Sequence, residues 1–110
     1  MSTALAELTR RRCRPLPAGT PALTEAEALS LLAALPGWSI EKGELAKAYT
    51  FADYHRTLAF VNAVAWIAHR EDHHPELTVG YGRCRVAYST HSIGGLSEND
   101  FICAARIEAL

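Results

Sequence analysis

The chain has 110 residues, the size of one domain, and nearly half of them are apolar. Eleven Lys and Arg against twelve Asp and Glu leave a formal net charge of −1, so bulk electrostatics give no basis for direct nucleic-acid binding. No apolar run approaches the roughly 18–20 residues that cross a bilayer. The first residues also lack the apolar stretch of a secretory leader, and a cytoplasmic protein with no membrane partner is expected.

Residues 1–20 read as a flexible N-terminal tail. They hold the one basic run, Arg10, Arg11, Arg12 and Arg14, beside Pro15, Pro17 and Pro21, with no apolar period. Residues 21–110 read as a single folded domain. Thr24-Glu25-Ala26-Glu27 is a capping box that opens a helix with Ala28, Leu31, Leu32 and Leu35 as its apolar stripe. Pro36-Gly37 stops it. Trp38-Ser39-Ile40 and the alternating Leu45, Lys47, Tyr49 and Phe51 flank a turn at Lys42-Gly43 and predict a hairpin.

Asp53 is the predicted N-cap of a longer helix. Tyr54, Leu58, Val61, Ala65 and Ala68 repeat along it, and Phe60, Val64 and Ile67 widen the apolar stripe. Two covered sides are expected, one against the sheet and one against a second copy of the chain. This helix must end before Pro75. Glu76–Tyr81 and Arg83–Thr90 predict a second hairpin bent at Gly80 and Gly82. Ser97 with Asp100 three residues on resembles a capping box for a last helix. The order is α-β-β-α-β-β-α. It predicts an α+β fold, a four-stranded antiparallel sheet with helices packed on one face.

Three of the five histidines fall at element ends. His73 and His74 stand where the second helix gives way to the third strand, and His91 stands just past the fourth. In a hairpin the start of one strand lies beside the end of the other, which draws His91 toward His73 and His74. Side chains of adjacent residues in extended chain point opposite ways, so His73 and His74 should have different jobs. Imidazoles titrate near neutrality and suit proton transfer. His69 and His73 are four apart, so a small His-rich metal-binding protein is an alternative, with His91 as a third ligand and Glu71 and Asp72 as further donors. No H-E-x-x-H pattern supports it. Cys13, Cys84 and Cys103 have neither metal-like nor disulfide-like spacing and read as reduced thiols.

His69, His73-His74-Pro75, Tyr81, His91 and Asp100 stand in an order and at spacings that resemble the pterin-4a-carbinolamine dehydratase family, also known as the dimerisation cofactor of a homeodomain transcription factor. Gly37-Trp38, Phe51-Ala52-Asp53-Tyr54 and Gly95-Leu96-Ser97 agree with it, and the resemblance runs from Gly37 to Glu108. It implies a dehydratase that converts 4a-hydroxytetrahydropterin to quinonoid dihydropterin and water. That reaction recycles the pterin after an aromatic amino acid hydroxylase has used it.

The resemblance makes His73 and His91 the acid-base pair and His74 a binding and assisting catalytic residue. Pro75, Thr90, Ser92 and Ile93 join the three histidines in holding the substrate. His69, Asp100 and Trp38 are candidates for supporting roles. His69 replaces a common glutamate, and Leu77 a common tryptophan. The nitrogen lone pair at N5 expels the hydroxyl, so neither a metal nor an organic cofactor is expected. The alternative within the same fold is a non-catalytic binding or assembly module. A homodimer or homotetramer is expected from the wide helix stripe and from free sheet edges.

Overall fold

The computed structural model describes residues 3–110. It contains α1 (Thr3–Arg10), α2 (Glu25–Leu32), β1 (Ser39–Glu41), β2 (Glu44–Thr50), α3 (Tyr54–Glu71), β3 (Glu76–Val79), β4 (Arg83–Tyr88) and α4 (Glu98–Glu108), with a 3-10 turn over His91–Ile93. From α2 onward this is the predicted α-β-β-α-β-β-α order. The four strands form one antiparallel sheet in the order β1-β2-β4-β3.

Strand alternation decides which face is covered. Leu45, Lys47 and Tyr49 of β2 lie opposite Tyr88, Val86 and Cys84 of β4, and Leu77 and Val79 of β3 lie opposite Val86 and Cys84. Leu45, Cys84, Val86 and Tyr88 are buried against Val64 and Ile67 of α3 and Phe101, Ile102 and Ala105 of α4. Residues of the opposite set, such as Ala48, Thr50 and Arg83, are exposed. The helices therefore pack on one face, as the period-2 pattern required.

The caps are those the sequence predicts. Thr24 and Glu27 form the complete box at the start of α2, with Oγ1 accepting the Glu27 amide and the Glu27 carboxylate accepting the Thr24 amide. Asp53 caps α3 by accepting the Arg56 amide at 2.8 Å. No helix among the described residues is long and apolar enough to cross a membrane.

One segment differs from the sequence reading. Met1 and Ser2 lie outside the described residues, but Thr3–Arg10 is not a tail. It is α1, an eight-residue helix whose Leu5 and Leu8 are buried in the common core. The arm after it is also fixed. Arg12 Nε pairs with Glu71 Oε2 at 2.9 Å, the Cys13 amide donates to Glu71 Oε1 at 2.8 Å, and Arg14 exchanges two hydrogen bonds with the Asn99 side chain. Of the basic run, Arg12 is thus paired with Glu71, and Arg11 pairs with Glu7 and Glu98.

Candidate active site

The end of α3 aims the first histidine. Asp72 takes the left-handed conformation (φ 49°), which Asp tolerates better than most residues. The His73 amide then donates back to the Ala68 carbonyl and the Asp72 amide to that of His69, the two bonds of a Schellman motif. Chain reversal at Asp72 turns His73 inward and leaves His74 exposed. The two neighbours thus differ as their alternation predicted.

His73 packs face to face on Tyr88, with ring centroids 5.3 Å apart and planes inclined by 15°. The Tyr88 hydroxyl donates to the His73 carbonyl at 3.3 Å. The His73 Nε2 proton is directed at Asp100 Oδ1, 2.6 Å away. Asp100 has no solvent-accessible surface. Its second oxygen accepts from Thr90 Oγ1 at 2.9 Å and from the Ser97 amide at 2.9 Å. Thr90 has one hydroxyl proton and gives it to Asp100, so the Ser97 hydroxyl donates to Thr90 Oγ1 across 2.7 Å. One buried carboxylate therefore ties the start of α4, the end of the β4 segment and the end of α3 together.

This arrangement acts on the imidazole. Burial disfavours the charged ring, but the hydrogen bond and the negative charge of Asp100 outweigh burial, and the His73 pKa lies above the ordinary histidine value. Asp100 thus favours the charged form of this ring.

His91 follows Thr90 in the 3-10 turn and is exposed. It lines a cavity of about 430 Å³ between the β1–β2 turn, with Lys42, Gly43 and Glu44, and the segment from Ser89 to Gly95. Thr90 lines the same cavity; His73 and His74 are not among its lining residues. The link between His73 and this cavity is the carboxylate of Asp100 and the Thr90 side chain bonded to it. A more apolar cavity of about 540 Å³ adjoins it, sharing Gly43, Gly94 and Gly95 and reaching Leu29 of α2.

The remaining candidates separate. Ser92 is exposed, and Pro75 and Ile93 are half-buried. His69 is exposed on α3, its ring centroid 5.9 Å from that of Trp66. Tyr81 sits at the bend of the β3–β4 hairpin, stacked on Tyr54, at the opposite end of the hairpin from His73. Trp38 is a core residue and not a wall of the cavity. It donates from Nε1 to Glu108 at 3.1 Å and meets Tyr49 edge-on. Sequence reasoning did not single out Tyr88, the ring on which His73 rests, or Ser97 as a donor to Thr90. The Ser97/Asp100 capping pattern was the available signal for the second. Among the described residues, no group of three or more His, Cys, Asp or Glu side chains is disposed to hold a metal ion.

The family model described as pterin 4 alpha carbinolamine dehydratase matches residues 21–110. Two curated relatives named "Putative pterin-4-alpha-carbinolamine dehydratase" are similar over most of their length. That of Nitrosospira multiformis is 51% identical over 110 residues, covering 100% of this chain and 97% of the relative. That of Xanthomonas campestris pv. campestris is 54% identical over 110 residues, covering 98% and 93%. Among solved structures, the transcriptional coactivator/pterin dehydratase from Brucella melitensis superposes with a TM-score of 0.77 at 33% identity, over 80% of this chain and 96% of that one. A pterin dehydratase-like protein described as a RuBisCO assembly factor in the alpha-carboxysome superposes with a TM-score of 0.55 at 25% identity, over 66% and 83%.

Proposed function

Because the chain belongs to the pterin-4-alpha-carbinolamine dehydratase family, we propose that it dehydrates 4a-hydroxytetrahydropterin by histidine acid-base catalysis. The observation that carries this reading is the His73–Asp100 pair, whose carboxylate also binds the residue next to His91.

In this reading the pterin lies across the mouth of the cavity that Thr90 and His91 line and extends beyond it toward His73, His74 and Pro75, with Ser92 and Ile93 at its edge. Protonated His73 is the acid. Its Nε2 proton is held by Asp100, so the proton it gives to the departing 4a-hydroxyl is the one on Nδ1. His91, open to the cavity, takes the proton from N5. The C4a–O bond breaks as the N5 lone pair forms the C4a=N5 bond, and water and quinonoid dihydropterin leave. Each positioned group is typically worth about 10²–10⁴-fold. Asp100 is a positioning residue: it orients His73 and favours its charged form. The protein would serve in the cytoplasm, returning the pterin to an aromatic amino acid hydroxylase.

Self-association belongs to the same reading. Tyr54, Leu58 and Trp66 are exposed on α3, Trp66 by 61%. A homodimer or homotetramer that covers them accounts for apolar side chains on the face turned away from the sheet.

A spectrophotometric assay of carbinolamine breakdown tests the function. Acceleration over buffer that disappears in His73→Ala supports it, and breakdown no faster than in buffer overturns it. The second reading, a non-catalytic assembly module, is favoured by the relative described as a RuBisCO assembly factor. Calorimetric titration with a dihydropterin separates the two, since a module freed from catalysis has no need to bind pterin.

A further inference from the structure

Two cysteines that are 90 positions apart in the chain meet behind the site. Cys13 Sγ lies 3.6 Å from Cys103 Sγ, and both are free thiols. Neither sits in a loose segment. The amide of Cys13 is bonded to Glu71, Arg12 and Arg14 are bonded on either side, and Cys13 Sγ also donates to the Asn99 carbonyl at 3.5 Å. Cys103 is fully buried in α4, one turn beyond Asp100. Cys13 is only half-buried.

We propose that Cys13 and Cys103 are a thiol–disulfide site, with small-molecule disulfides as its substrates. This holds whatever reaction the cavity performs. A bonded pair of sulfurs is about 2.05 Å apart, so closure requires a modest approach of groups already facing each other, with the backbone pinned on both sides.

The environment sets the order of events. Contact with the Cys13 sulfur lowers the Cys103 pKa against the effect of burial. Cys103, burial and the nearby Glu71 carboxylate raise the Cys13 pKa, so a single negative charge on the pair rests first on Cys103. Solvent reaches Cys13 rather than Cys103. With the proton passed across to Cys103, the Cys13 thiolate attacks one sulfur of the small disulfide, forms a mixed disulfide and expels a thiolate. Cys103 then gives up its proton, attacks the Cys13 sulfur and expels the second thiolate, which leaves as a thiol. Two protein thiols and one small disulfide become one protein disulfide and two small thiols. The product staples the arm behind α1 to the helix that carries Asp100.

The test uses the intact native chain with oxidised glutathione at neutral pH, followed by alkylation of remaining thiols and peptide mass mapping. The expected result is a bridge between Cys13 and Cys103 with Cys84 alkylated, reversed by dithiothreitol. In Cys103→Ser, glutathione should remain on Cys13. A lasting glutathione adduct on Cys13 of the native chain, a bridge involving Cys84 or a second chain, or no loss of thiols overturns the proposal. Mapping of the native chain decides even if the variant fails to fold.

Discussion

His73 Nε2 and Asp100 Oδ1 are 2.6 Å apart, on residues that reach each other from the end of one helix and the first turn of another. Asp100 serves two structures with one carboxylate. One oxygen takes the imidazole; the other holds the helix start through the Ser97 amide and the preceding segment through Thr90. Helix capping and orientation of the candidate acid are a single arrangement.

Asp100→Asn should separate these effects. An amide has one acceptor oxygen, so it cannot accept from both His73 and the Ser97 amide. A buried donor left without a partner costs about 1–3 kcal/mol, readable by urea denaturation. The pH dependence has a definite sign. The folded His73 pKa is raised, so its contribution to stability is complete below the ordinary value of 6.5 and is lost as pH rises through the folded value. The wild-type advantage over Asp100→Asn should therefore shrink across that interval. If His73 is the acid, the alkaline limb of the dehydration rate should also move to lower pH in the variant.

Replacing His73 or His91 with alanine should lower turnover by about 10²–10⁴-fold each. Both variants should keep wild-type circular dichroism. The double variant should be no worse than the uncatalysed reaction allows, and wild-type turnover in it would remove the acid-base assignment. If the chain is the proposed dehydratase, treatment of the native protein with a chelator should leave turnover unchanged.

How much of this was legible follows from the range of the interactions. The hairpins, the caps at Thr24 and Asp53 and the end of α3 before Pro75 are local, and the residues that specify them are neighbours in sequence. The inward turn of His73 was legible only as a difference from His74. The contact with Asp100 spans 27 positions, and only the family resemblance joined the two. Helix α1 was not legible. Eight residues are too few to be stable as an isolated helix, and its stability comes from Leu5 and Leu8 meeting a core assembled by residues much later in the chain. The meeting of Cys13 with Cys103 depends on the same docking.

Leu8→Ala tests that docking. Leu8 is 3% exposed within the shared core, and truncating a buried leucine costs about 2–5 kcal/mol. A flexible tail would give no measurable change in the urea midpoint. A loss of this size is expected, together with faster hydrogen exchange at the Cys13 amide, which is now bonded to Glu71.

If α3 is covered by a second copy, Trp66→Glu should reduce the mass measured by sedimentation without unfolding the chain, because Trp66 is largely exposed in the single copy. An unchanged mass would place the interface elsewhere, with the sheet edges β1 and β3 as the next surfaces to alter.

Glu108 shows how the far end of α4 is anchored. Its Oε1 accepts from Trp38 Nε1 at 3.1 Å and from Tyr49 Oη at 2.6 Å, and it pairs with the Lys47 ammonium. Burial raises its pKa, but the bonds from Lys47 and Tyr49 prevail and the folded value lies below the ordinary 4.5. Its contribution is therefore present above pH 4.5 and lost as pH falls through the folded value. Glu108→Gln keeps an acceptor for Trp38 and Tyr49 but removes the charge facing Lys47. It should cost about 1–3 kcal/mol near neutrality, and the difference from wild type should vanish on acidification. Loss of stability in parallel for the two proteins down to low pH would show that the carboxylate titrates without influence on folding, and that its charge adds nothing to the bonds from Trp38 and Tyr49.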